Sequence, residues 1–257
     1  MNTIKQLFRL SSKLVHDPAP PLVECAVSFE TLCKNADMAV RNSEQARSTL
    51  HKFADLWCKN SKAKLDPDNA VVMGPTKSKD RFIEKAVARY NGDVFQVSDG
   101  CRNRILIDDP SQVKMMKAVI NSPQFVENCE SKGIKITSVE DLFEKPTATG
   151  YRALVVKTEI DLGKGRSQLA ETVIMPRGWT EEYETTHVYL EQIRTLKDLA
   201  KAQNRENTPH ESSIISKHTQ EAKEIHSYLA MIDGYDELEL NKPGKTRMPK
   251  PSVPHLS

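Results

Sequence analysis

The chain lacks three things that would settle its class cheaply. It has no apolar run near the ~20 residues a membrane-spanning helix needs, and the mean hydropathy of its 257 residues is −0.54. It has no surplus of either charge: 37 Lys and Arg against 35 Asp and Glu leave +2, so any polyanion must be gripped locally rather than by bulk electrostatics. It has no CxxC pair, and its cysteines, Cys25, Cys33, Cys58, Cys101 and Cys129, are odd in number. That disfavours a disulfide framework and a thiolate zinc site and points to a reducing cytoplasmic compartment. Internal repeats are also missing, and no Gly or Pro interrupts Leu22 to Lys62.

What is present divides into four stretches. Residues 1–69 read as an N-terminal helical extension. Lys5, Arg9 and Lys13 among Ile4, Leu7, Phe8, Leu10 and Leu14 suggest a short amphipathic helix, which the prolines at 18, 20 and 21 break. Leu22, Ala26, Phe29, Cys33, Ala36 and Val40, spaced four and three apart, predict one long or bent helix. Residues 70–195 mix periods. Strands are expected at 70–73, 104–107, 134–143, 153–160 and 168–175, with a helix capped by Ser78 and running to Tyr90, and another from Pro110 to about Ile120. Two helical stretches follow, about 180–204 and 211–232, so that 196–240 reads as a C-terminal helical region. Residues 241–257, with four prolines beside Lys242, Lys245, Arg247 and Lys250, read as a disordered basic tail.

Chemistry gathers in the middle stretch. Alternation along Leu169-Ala-Glu-Thr-Val-Ile-Met175 puts Glu171 on one face with Leu169, Val173 and Met175, a side expected to face the core. A carboxylate there must be paired with a base on the next strand or bind a cation. Asp99 stands at the entrance to the strand Ile105-Leu106-Ile107, where an acid commonly shapes a turn. Lys77, Arg81, Lys85 and Arg89 recur every four residues, which predicts a cationic helix face. Alone, that face could be merely solvated. Together, a cationic face able to hold a triphosphate and two carboxylates able to hold Mg²⁺ make up what phosphoryl transfer requires. Gly163-Lys-Gly-Arg-Ser167 lies between two strands without Walker spacing and predicts a hairpin turn. His210, His218 and His226, eight apart, drift around a helix and form no compact metal site.

The order and spacing of Gly74-Pro-Thr-Lys77, Arg81, Glu84-Lys85, Asp99 with Arg102 and Arg104, Lys145-Pro-Thr-Ala-Thr-Gly150-Tyr151-Arg152, Glu171, and His187-Val-Tyr189 with Glu191 resemble the RelA/SpoT-type nucleotide pyrophosphokinases, over about residues 70–195. The chain looks closest to divergent, toxin-like members. The resemblance implies an α/β (α+β) fold with a nucleotidyltransferase-like mixed β-sheet flanked by helices, here with added N- and C-terminal helices. It implies Mg²⁺-dependent transfer of pyrophosphate from ATP to the ribose 3′-hydroxyl of a purine nucleotide or a tRNA 3′ end. Lys77, Arg81, Lys85, Arg102 and Arg104 would bind ATP; Asp99 and Glu171 would hold the metal and assist catalysis; Tyr151, Arg152 and His187 would bind the acceptor. A protein partner or antidote would dock on the helical extensions, and delivery into another cell as an effector belongs to the same picture.

Pro75 replaces an arginine of housekeeping members, and Val173 the glutamine of their Glu-x-Gln motif. These departures keep open an alternative, a catalytically degenerate nucleotide-binding or protein-interaction module. His16-Asp17 matches the metal dyad of the hydrolase half of long family members, but fewer than 70 residues precede the synthetase-like region, so no hydrolase is expected.

Overall fold

A computed structural model describes residues 27–235. The amphipathic segment at 1–15, the proline break, His16-Asp17, Cys25 and the basic tail lie outside the described residues.

The chain order is α1 (Phe29–Asn60), a short α2 (Pro67–Ala70), β1 (Val71–Met73), α3 (Lys79–Arg89), β2 (Cys101–Ile107), α4 (Pro110–Ile120), α5 (Pro123–Glu130), β3 (Ile134–Asp141), β4 (Leu154–Gly163), β5 (Arg166–Pro176), α6 (Thr180–Ala202) and α7 (Pro209–Ile232). The five strands form one mixed sheet in the order β1-β2-β5-β4-β3. Only β2 and β5 run parallel, with Arg102 opposite Glu171 and Arg104 opposite Val173. Gly163 and Gly165, both at positive φ, turn β4 into β5 as the Gly-rich stretch predicts.

The two faces of the sheet are unlike. Cys101, Asn103 and Ile105 of β2, Ala170, Thr172 and Ile174 of β5, and Leu154, Val156, Thr158 and Ile160 of β4 are buried. They share a core with Leu50, Phe53, Ala54 and Trp57 of α1 and with Met116 and Phe125 of α4 and α5. Asn103 Nδ2 donates to the Leu50 carbonyl across that contact. Buried Cys58 and Cys101 are pushed up to about 12 and Cys129 to about 11, chiefly by burial, so these thiols serve as packing groups.

Glu171 therefore does not stand on the core side, contrary to the expectation from alternation. The small and β-branched set Ala170, Thr172, Ile174 fits closely under α1, while Leu169, Glu171 and Val173 remain half-buried on the other face. The stripe of α1 also differs from the expected one. Cys33 and Val40 are only partly buried, and Phe29 is exposed; Leu32, Ala36, Ala39, Ser43, Ala46 and Leu50 face inward. Small residues let the helix lie close, and they carry little hydropathic signal. α5 was not expected, because Phe125, Val126 and Cys129 are too few to set a period; Ser122 caps it and Pro123 begins it.

Candidate active site

The site lies at the β2–β5 seam, on the half-open face. Its first part is set by a glycine. A Cβ at Gly100 would come within 2.1 Å of Phe82 Cζ, so only glycine admits this ring of α3 against the start of β2. Ser78 caps α3 as expected, its hydroxyl accepting from the Arg81 N–H. Lys77 precedes the helix and donates its own N–H to the Gly100 carbonyl.

The cationic series consequently splits, where a single positive face was expected. Lys77 Nζ lies 3.3 Å from Asp99 Oδ2 and Lys85 Nζ 2.8 Å from Asp99 Oδ1, with all three side chains 15–20 % exposed. The Lys85 contact is an ion pair rather than an aligned hydrogen bond. Arg81 and Arg89 turn instead to acids on α6: Arg81 to Glu191 at 3.3 Å, and to its own helix's Glu84 at 2.9 Å, and Arg89 to Asp198 at 3.5 Å. Burial pushes the Asp99 carboxyl up, but Lys85 and Lys77 outweigh it and hold the group below its usual range. Lys77 is lowered by burial against the pull of Asp99.

Glu171 faces the same region. Arg102 stands opposite it on β2 and Lys157 opposite it on β4. Its carboxyl is raised, first by burial and then by the Asp99 charge, while Lys85, Lys157 and Arg102 act against the rise. The two carboxylates thus lie within each other's electrostatic reach on one side of the sheet. Among the described residues no group of three or more His, Cys, Asp or Glu side chains forms a metal cage. Mg²⁺ is commonly bound by one or two carboxylates plus phosphate oxygens and waters, so this donor set fits Mg²⁺ arriving with a polyphosphate.

An aromatic row borders the carboxylates. Tyr151 lies 5.6 Å from Tyr183 and 5.7 Å from His226, and Tyr183 stacks on His187 at 5.5 Å and 17°. The Arg104 guanidinium covers Tyr183 at 4.7 Å. Burial, with Tyr183 behind it, raises the Tyr151 phenol, and Glu171 adds to the rise. The loop carrying Tyr151 closes on itself: the Thr147 N–H donates to the Tyr151 carbonyl, the Gly150 N–H to the Thr147 carbonyl, and the Tyr151 N–H to Thr147 Oγ1. Gly150 takes a φ of +75° to make this turn. His187 is half-buried, 3.9 Å from Glu191, and lowered chiefly by burial. Arg152 is buried and donates to the Phe143 carbonyl at 2.7 Å, which ties it to the chain beyond β3.

Lys77, Lys85, Asp99, Arg102 and Glu171 are thus grouped, with Arg104, Tyr151 and His187 alongside. Arg81 lies toward α6, and Arg152 lies inside. Tyr183, His226 and Lys157 were not anticipated. Tyr183 sits one helical turn before His187, and His226 lies in the buried stripe Ala222, His226, Leu229, Ala230 of α7, so both had a signal in their spacing.

No family model matches the chain, and no curated protein matches it. Solved structures do resemble it. Small alarmone synthetase 2 from Bacillus subtilis is 17% identical with a TM-score of 0.49, over 81% of this chain and 98% of that one. Small alarmone synthetase 1 from Bacillus subtilis, bound to its product pppGpp, is 15% identical with a TM-score of 0.44, also over 81% and 98%. The type VI effector Tas1, in complex with its immunity protein, is 17% identical with a TM-score of 0.42, over 74% and 97%. No helix among the described residues is long and apolar enough to cross a membrane.

Proposed function

We propose that the chain transfers the β,γ-pyrophosphate of ATP to the ribose 3′-hydroxyl of a purine nucleotide. The observation that carries this reading is the placing of Lys77, Lys85, Asp99 and Glu171 together beside an aromatic row, which supplies a phosphate grip, a pair of carboxylates and a base platform on one face. Lys77 and Lys85 would leave Asp99 for the ATP phosphates, exchanging one charge-assisted contact for another. Asp99 and Glu171 would then hold Mg²⁺, which neutralises phosphate charge when bound.

In the transfer, the acceptor 3′-oxygen bonds to the β-phosphorus, the bond from that phosphorus to the α,β-bridging oxygen breaks, and AMP leaves. The hydroxyl proton would pass to a carboxylate oxygen of Glu171 that is left free of the metal. Tyr151 would stack on the acceptor base, with Arg104 and His187 beside it.

The test is incubation of the chain with γ-labelled ATP, Mg²⁺ and either mixed nucleotides or bulk tRNA. Label on a purine nucleotide supports the reading. Label on tRNA alone moves the acceptor to the tRNA 3′ end, and label on neither leaves the degenerate interaction module.

A further inference from the structure

His226 is a buried side chain of α7 to which the chemistry above gives no part. Its ring joins three elements. Nδ1 lies 2.7 Å from the Thr149 carbonyl oxygen, so this nitrogen carries a proton and donates it. Nε2 lies 3.2 Å from Thr186 Oγ1 on α6, where a neutral ring competes with the Glu182 carbonyl, 2.9 Å away, for the one hydroxyl proton. Burial lowers the pKa of the imidazole, with the Thr149 bond acting the other way, which keeps that neutral form at pH 7.

The ring also meets Tyr151 edge-on, at 5.7 Å and 61°. The approach leaves no slack: a Cβ on Gly150 would sit 3.3 Å from His226 Cβ and 3.4 Å from Lys223 Cα. Loop 147–151 is therefore pressed directly on α7, and Tyr151 is held between His226 and Tyr183.

We propose that His226 is a positioning residue for the acceptor: it ties loop 147–151 to α6 and α7 and thereby fixes the Tyr151 ring against which the acceptor purine stacks. The proposal rests on the reading of Tyr151 given above, and it makes α7 a working part of the acceptor half. A stacking platform helps only if its plane is set before the base arrives, because orientation lost in the free protein must be recovered on binding. The donor half, Lys77, Lys85 and Asp99, belongs to α3, the residues just before it and the entrance of β2, so it should not respond.

Two readouts test this in the full chain, with His218→Ala as control because that ring stacks on Tyr189 instead. The first is the ring resonance of Tyr151 in ¹³C-tyrosine-labelled protein, assigned with Tyr151→Phe and recorded without nucleotide. His226→Gln should place it differently from His226→Asn, both lacking the imidazole ring current, while His218→Ala leaves it in place. The second is kinetic: His226→Ala should raise the acceptor KM about tenfold and leave the ATP KM within twofold. His226→Asn, which keeps a donor near the Nδ1 position, should recover most of the loss, whereas His226→Gln should not.

A Tyr151 resonance in the same place in the Asn and Gln variants overturns the proposal, as does an equal rise in both KM values. Should His226→Ala fail to fold, the Asn and Gln variants decide, and equal behaviour of the two overturns it. If the wild-type chain transfers no label, the proposed function fails, and the Tyr151 resonance alone then decides whether His226 positions the ring.

Discussion

On its buried side the sheet presents Ala170, Thr172 and Ile174 to α1; on its other side the same strand presents Leu169, Glu171 and Val173 beside Arg102 and Lys157. Neighbouring residues of one backbone therefore do different work. The first set is chosen for shape and excludes water, and its loss should cost stability. The second keeps charges half-buried without closing over them, and its loss should cost chemistry. A carboxylate that burial pushes upward, as in Glu171, is a standing cost to folding, which binding metal and substrate would offset.

The comparison is broken most severely from the buried side. Phe53, fully buried against Trp57 and Phe125, should destabilise the chain by about 3–5 kcal/mol when changed to alanine. Urea unfolding measures this, and the transfer rate per folded molecule should stay near wild type.

Lys85→Ala probes the other face. It removes a charge-assisted contact worth roughly 1.5–3 kcal/mol, so calorimetric titration with a non-hydrolysable ATP analogue should show binding weakened by about that amount. The difference from wild type should shrink as salt rises. Tyr151→Ala should spare ATP affinity and weaken the acceptor by about 1–3 kcal/mol, read from acceptor kinetics. If the two variants exchange these effects, the donor and acceptor halves are assigned the wrong way round.

The smallest effect is in stability against pH, and its sign distinguishes the two carboxylates. The Glu171 pKa is raised in the folded state above its ordinary 4.5, so the folded chain binds that proton first and gains stability as pH falls toward about 4.5. The Asp99 pKa is lowered from 3.8, so its contribution is present above that pH and is lost as pH falls below it through the folded value. Glu171→Gln should remove the first slope, keep the second, and leave the chain no less stable than wild type at pH 7. Unfolding midpoints from pH 3 to pH 7 would show it.

Much of the fold was legible from local rules. Ser78 and Pro110 begin helices for reasons that each residue carries in itself, and Gly163 with Gly165 can only turn. Which face of β5 is buried was not legible, since Leu169 and Val173 look as apolar as Ala170 and Ile174 until α1 selects the smaller set. The cationic spacing of Lys77, Arg81, Lys85 and Arg89 was visible, but its division was not. Asp99 draws two of these side chains, and Glu191 and Asp198, about a hundred residues away, draw the others. The spacing of Tyr183 and His226 was visible in the same way, but their meeting with Tyr151 was not: only α6 and α7, packed together, bring them to it.

The claim that the half-open face exists for chemistry is tested most directly by the initial rate of γ-label transfer from ATP by Glu171→Gln, expressed per folded molecule. Loss of the charge that faces the Asp99 cluster should lower that rate by about 10²–10³-fold. A rate within roughly twofold of wild type would mean that Glu171 takes no part in the transfer, and the account of this face would be wrong.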